Sequence, residues 1–174
     1  MFNRKKKEMM VYVILGFLEA GKTSLIRDLV TDDMFDGNAK TLILACEEGE
    51  EEYTQEVLQK GLSACEYIED EDSFNGKIFE KFLKKHRPDR LIIEYNGMWN
   101  YKNMKLPWHW TIEQQVTTID ASTFPMYFNN MKTLLAEMVR KSELIIFNRC
   151  DGIEDLNSYK RNIKAINQKA DIVF

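Results

Sequence analysis

Cysteine is scarce in this chain: Cys46, Cys65 and Cys150 are the only three in 174 residues. An odd count with no C-x-x-C spacing excludes, within one chain, both a disulfide framework and an all-thiolate zinc site, and it suits a reducing cytoplasm. Only three prolines and eight glycines are present, no repeat is visible, and no stretch reads as a linker. One domain spanning 1–174 is therefore expected. Positive charge is also in deficit, with 24 Lys and Arg against 28 Asp and Glu. A net charge of −4 is the wrong sign for a chain whose main partner is a phosphate backbone, so nucleic acid is excluded as the expected partner.

Long apolar runs are missing as well. Arg4, Lys5, Lys6 and Lys7 precede an apolar stretch from Met9 to Leu18, an outline shared with short signal peptides. No A-x-A pattern follows, Glu19 and Lys22 charge the next turn, and the run falls short of the roughly 20 residues of a membrane helix. A buried strand explains it, and no membrane association is expected. What is plentiful is apolar content: 44% hydrophobic residues exclude a disordered chain.

Short Ile-, Leu- and Val-rich runs alternate with longer helical patterns, which predicts an α/β fold with a mostly parallel sheet and helices on both faces. Strands are predicted near Met10 to Leu15, Thr41 to Cys46, Arg90 to Glu94, Gln115 to Ile119, Leu144 to Asn148 and Asp171 to Phe174. Helices are predicted near Lys22 to Val30, Ser73 to His86, Asn130 to Lys141 and Asp155 to Gln168. Eleven acids against one base, Lys60, lie between Glu47 and Asp72. Such a run reads first as a solvated face or loop, and second as a site for a cation or a basic protein. The aromatic cluster Trp99, Tyr101, Trp108, His109 and Trp110 has no evident catalytic purpose and reads as core or partner surface.

The most specific signal is Gly16-Phe-Leu-Glu-Ala-Gly21-Lys22-Thr23, a match to G-x-x-x-x-G-K-[ST] that follows an apolar strand and leads into a helix. In such a loop the glycines let backbone N–H groups converge on a phosphate at the positive end of the helix. Ala20 and Ser24 belong to the same cradle. Lys22 is expected to lie in solvent until it meets the outer phosphates, and Thr23 is placed to hold Mg²⁺. Glu19, at the loop tip, sets a carboxylate against a triphosphate.

Two further elements complete the pattern. The strand Arg90-Leu-Ile-Ile-Glu94 ends in a carboxylate that can hold Mg²⁺ through water, and Gly97 offers an N–H toward a γ-phosphate. A paired structural Glu would use the same position. Asn148-Arg149-Cys150-Asp151 follows a later strand. There Asp151 can accept the N1–H and N2–H of guanine, a pairing adenine lacks, while Asn148 ties the segment to the phosphate loop. An ordinary turn after a strand would draw on the same residue types.

At these residues the chain resembles the CobW/HypB/UreG family of P-loop GTPases, nearest its CobW branch. GFLEAGKTSL is similar to that branch's GFLGAGKTTL, LIIEYNGM to its strand followed by E-x-x-G, and SELIIFNRCD to its strand ending in N-K-x-D. VTTIDASTF and IKAINQKADIV are weaker echoes of its fourth strand and last helix. The resemblance implies a P-loop NTPase fold of the SIMIBI type. It also implies GTP and GDP as ligands, Mg²⁺-dependent hydrolysis with Lys22, Thr23 and Glu94 at its centre, and delivery of a metal ion or metal cofactor to a client metalloprotein. A further C-terminal domain is implied too, so this sequence reads as the nucleotide-binding domain alone; a second subunit, as in a homodimer, is a candidate to complete the hydrolytic site.

The departures are specific. The branch's N-E-F-G-E stands here as Cys46-Glu47-Glu48-Gly49-Glu50, and its C-x-C-C as Leu62-Ser63-Ala64-Cys65. By the resemblance Glu47, Glu50 and Cys65 form a mixed oxygen and sulfur set suited to Zn²⁺ or Co²⁺. Arg149 replaces the lysine of N-K-x-D, and its guanidinium is expected to stack on the base without copying an ammonium's contact with the phosphate loop. With no Gln or Arg assigned to the attacking water, hydrolysis is expected to be slow, and a nucleotide-dependent switch with little hydrolysis is the alternative.

Overall fold

The computed structural model describes residues 8–36, 38–47, 49 and 51–174. Seven strands form one sheet: β1 (Met9–Leu15), β2 (Thr41–Ala45), β3 (Ser63–Tyr67), β4 (Arg90–Glu94), β5 (Trp110–Asp120), β6 (Leu144–Asn148) and β7 (Asp171–Val173). Their order is β3-β2-β4-β1-β5-β6-β7, and every pairing is parallel. The connecting helices are α1 (Lys22–Thr31), α2 (Asp33–Asp36), α3 (Gln55–Lys60), α4 (Gly76–His86), α5 (Phe124–Asn130), α6 (Lys132–Arg140) and α7 (Leu156–Ile166). No helix among the described residues is long and apolar enough to cross a membrane.

Both faces of the sheet are covered, which is why its central strands are apolar at consecutive positions. Val11, Val13, Leu15, Leu91 and Ile93 pack with Phe79 and Phe82 of α4, Leu135 and Met138 of α6 and Ile163 of α7. Ile14, Ile43 and Ile92 pack on the opposite face with Ile26 and Val30 of α1 and Leu58 of α3. Each fully buried Leu or Ile contributes about 2 kcal/mol. The period of two then places the chemistry: Glu94, two residues beyond Ile92, shares the face covered by α1.

All six predicted strands are present, but the sheet is wholly parallel and has a seventh member. β3, with the sequence SACEY, is half-buried and pairs only with β2, so its short, mixed composition lacks the apolar signature of the central strands. Together with α3 it gives regular structure to a segment that charge alone reads as a solvated loop. β5 begins five residues earlier than its apolar part, because backbone pairing with β1 carries Trp110 to Gln114 across a register shift. Three helix starts move inward: Asn75 caps α4 by accepting from Lys77 and Ile78 N–H, Asp155 caps α7 by accepting from Ser158 N–H, and the helix expected from Asn130 begins at Lys132 because Asn130 closes α5. α2, α3 and α5 are not among the expected elements.

Candidate functional site

The carboxyl ends of β1, β2, β4, β5 and β6 converge on one edge of the sheet, the edge at which parallel α/β sheets bind ligands. Register sets Ile14, Ala45 and Glu94 level, and Asp120 level with Asn148. The loop that leaves β1 at Gly16 turns into α1 at Gly21, which has φ 93° and no room for a side chain, because the Asn148 amide occupies that space. Gly97 is buried so closely against the Gly16 carbonyl and the Cα of Phe17 that any Cβ would collide. The ring of Phe17 stacks on Tyr127 with centroids 4.0 Å apart, anchoring the loop to α5.

Lys22 does not lie in solvent. It is 2% exposed, donates to the carbonyls of Gly16 at 2.9 Å and Phe17 at 2.8 Å, and forms an ion pair with Glu47. The expectation of a free ammonium missed that an acid from the loop after β2 reaches it. Thr23 Oγ1 donates to Glu94 Oε1 at 2.6 Å, and the Tyr53 hydroxyl donates to Glu94 Oε2, also at 2.6 Å. Burial pushes the Glu94 carboxyl above its ordinary range, against the lowering effect of these hydrogen bonds and of Lys22. Ser24 Oγ donates to Glu51 Oε2 at 2.7 Å, and Arg27 reaches the same oxygen at 3.3 Å.

Glu47, Glu51 and Tyr53 thus touch Lys22, Ser24 and Glu94 from one segment. The cavity left among Gly21, Lys22, Thr23, Glu47, Glu94 and Arg149 is about 80 Å³, whereas small-molecule pockets run about 300–1,000 Å³. Glu47 and Glu51 narrow the space over Lys22 and Ser24.

On the opposite side, Asn148 Nδ2 donates to the Ala20 carbonyl at 2.8 Å, the tie expected from the sequence. Arg149 also reaches the loop: its Nη1 donates to the Glu19 carbonyl at 2.8 Å and to Asp120 Oδ2 at 2.6 Å. The guanidinium therefore makes the contact expected only of an ammonium, because its length lets it span from β6 to the loop tip. Glu19 sits in the left-handed region at φ 59° with its side chain exposed. Asp151 is exposed beside this segment. Burial raises the Asp120 carboxyl, but the Ser122 hydroxyl and N–H, and then Arg149, outweigh it and hold the group below its ordinary range.

Glu51, Tyr53 and Asp120 are the members sequence reasoning missed. The first two lie in the acidic run, where nothing distinguishes a site residue from a solvated one; Asp120 carried a signal, an acid closing an apolar strand.

Of the expected mixed metal set, Glu47 is held by Lys22 and Glu50 lies outside the described residues. Cys65, opposite Ile43 on β3, packs against the α1-side core. Burial pushes its thiol up to about 12, with Glu94 and Glu66 adding to the rise and a Tyr67 hydrogen bond opposing it. Among the described residues no three His, Cys, Asp or Glu side chains gather as a metal would require.

The model of the CobW/HypB/UreG nucleotide-binding domain matches residues 10–174. The chain belongs to that family. No curated protein matches it in sequence. In fold it is similar to Zn(II)-bound YjiA GTPase from E. coli, at 18% identity and TM-score 0.65, covering 96% of this chain and 57% of that one. It is also similar to the hydrogenase maturation factor HypB from Archaeoglobus fulgidus, at 19% identity and TM-score 0.64, covering 95% and 81%. HypB from Helicobacter pylori in complex with nickel follows at 14% and 0.55, covering 95% and 77%. The chain thus spans little more than half the length of YjiA.

Proposed function

We propose that this CobW/HypB/UreG chain binds GTP with Mg²⁺ at the Gly16–Thr23 loop, hydrolyses it slowly, and couples the cycle to delivery of a metal ion or metal cofactor. The observation that carries the reading is the 2.6 Å contact between Thr23 Oγ1 and Glu94 Oε1. It brings two hard oxygen donors together beside a buried lysine, and Mg²⁺ takes such oxygens directly or through water. When bound, Mg²⁺ would neutralise charge on the phosphates. Lys22, freed from Glu47, meets the outer phosphate oxygens, and the start of α1 supplies N–H groups to the same anion. Asp151 accepts from guanine while Asn148 and Arg149 hold the loop. Hydrolysis is slow because no glutamine lines the cavity and the one lining arginine, Arg149, is already paired.

The family and its zinc- and nickel-bound relatives support a metal ion as cargo. Glu47, released by nucleotide, with Glu50 and Cys65, is the candidate donor set for Zn²⁺ or Co²⁺, and a client metalloprotein is the recipient. A cytoplasmic setting and a homodimer accompany this reading. The alternative is a nucleotide switch with little hydrolysis, favoured by the three contacts that Glu47, Glu51 and Tyr53 make with the site from one segment. Single-turnover GTP hydrolysis with Mg²⁺ and with chelator separates the two: Mg²⁺-dependent phosphate release supports the GTPase, and tight binding without release supports the switch. Zn²⁺ calorimetry on the unmutated and Cys65→Ser proteins in the presence of nucleotide tests the cargo site, which identical isotherms would remove.

A further inference from the structure

Trp108 is 89% exposed, whereas Trp110, two residues on, is 9% exposed and packs at 5.2 Å against Phe79 of α4. Trp108 thus adds little apolar burial to the core. The ring stands between two grooves. One, about 690 Å³, runs between α4 and the segment 105–109; the other, about 600 Å³, lies between that segment and α6. Leu106, Pro107, Trp108 and Trp110 line both. Met9 and Trp110 open β1 and β5, so the grooves lie at the strand starts, about 20 Å along the seven-residue β1 from the phosphate loop.

The charge around the indole opposes that of the chain. Arg87 and Lys105 border the first groove, and Arg140 and Lys141 the second; all four are exposed, and none has an ion-pair partner among the described residues. Of the two acids present, Glu137 is paired with Lys102 at 2.8 Å and Glu80 with Lys84 at 4.0 Å. This is a cationic rim on a protein of net charge −4. Within the first groove, His109 Nδ1 is the one buried side-chain nitrogen or oxygen without a hydrogen-bond partner among the described residues.

We propose that these paired grooves dock an acidic polypeptide segment that places apolar side chains on either side of Trp108. Two apolar troughs flanking one indole fit side-chain anchors, and buried Trp residues dominate binding energy at protein interfaces. The cations select carboxylates around those anchors and speed encounter. A phosphate backbone fits less well, since its binding rests on charge neutralisation and this chain carries −10 between Glu47 and Asp72.

The test uses the full chain and short synthetic peptides in which Glu alternates with Leu and Phe, read by fluorescence anisotropy. The unmutated protein binds them, versions with Lys in place of Glu do not bind, and Trp108→Ala weakens binding about tenfold or more. The paired change Lys105→Glu with Arg140→Glu reverses the charge preference. Trp108 is exposed, so Trp108→Ala keeps the fold, and an unchanged affinity for a fluorescent GTP analogue confirms it. No binding of the acidic peptides, binding unaffected by Trp108→Ala, or equal Trp108-dependent capture of single-stranded oligonucleotide or anionic vesicles overturns the proposal.

Discussion

Lys22 of the Gly16–Thr23 loop is paired with Glu47 from the segment after β2, at 2% and 9% side-chain exposure, so a carboxylate sits on the ammonium that the proposed function assigns to phosphate. A triphosphate must displace that carboxylate, and the cost is subtracted from its affinity. Glu47→Gln strands a buried ammonium on two carbonyls and should lower the stability of the nucleotide-free protein by about 3 kcal/mol. It should also raise GTP affinity at least about tenfold, because nothing charged remains to be expelled. Chemical denaturation and titration of a fluorescent GTP analogue measure both effects. Weaker nucleotide binding in the variant would mean that Glu47 assists the ligand instead of competing with it.

Glu19 offers a second handle on the same loop. Its φ of 59° is a conformation that costs an L residue about 1 kcal/mol or more, and glycine adopts it freely. The Arg149 contact uses the Glu19 carbonyl and survives substitution. Glu19→Gly should therefore stabilise the protein by about 1 kcal/mol and tighten GTP binding by removing a carboxylate from the phosphate approach. A lower melting temperature, or a loss of affinity, would show that the side chain has a positive role at the loop tip.

How much of this was legible in the sequence follows from what each element depends on. β2 and β4 announce themselves because burial on both faces demands consecutive apolar residues, and the glycine spacing of the loop reflects steric needs that no other residue type meets. The pairings of Glu47, Glu51 and Tyr53 are different in kind. They depend on where the chain after β2 folds back, and nothing local in an acidic run records that path. β3 stayed hidden for a related reason: an edge strand takes its stability from one neighbour's backbone and leaves its side chains half in water.

The Asp120–Arg149 bridge should make the loop tether sensitive to acid. The Asp120 carboxyl is held below its ordinary value of 3.8 because, although burial raises it, Ser122 and Arg149 favour the charged form more strongly. The folded protein therefore binds this proton less readily than the unfolded chain does. Its contribution to stability is complete above 3.8 and is lost as pH falls through the lower, folded value. Denaturant midpoints across that acid range should fall more steeply in the unmutated protein than in Asp120→Asn, which has no charge to lose. Parallel curves would assign the bridge no weight.

In the proposed function Asp151 carries the choice of base. Its side chain is exposed three residues after β6, in a segment that Asn148 and Arg149 fasten to the phosphate loop through the carbonyls of Ala20 and Glu19. A carboxylate there can accept two parallel hydrogen bonds, and guanine presents N1–H and N2–H side by side; adenine presents an acceptor where N1–H would be. GTP should therefore bind more tightly than ATP. A polar site that requires both donors rejects a ligand lacking them more strongly than an apolar pocket rejects a missing methylene. Asp151→Asn replaces one acceptor oxygen with a donor, so it should weaken GTP by about tenfold or more and leave ATP nearly unchanged. Xanthosine triphosphate, whose ring carries a carbonyl in place of the exocyclic amine, should gain affinity in that variant. Competition among the three nucleotides against one fluorescent reporter, with Mg²⁺ present, decides the matter. Equal affinities for GTP and ATP in the unmutated protein would remove Asp151 from the site while leaving the phosphate loop's role intact.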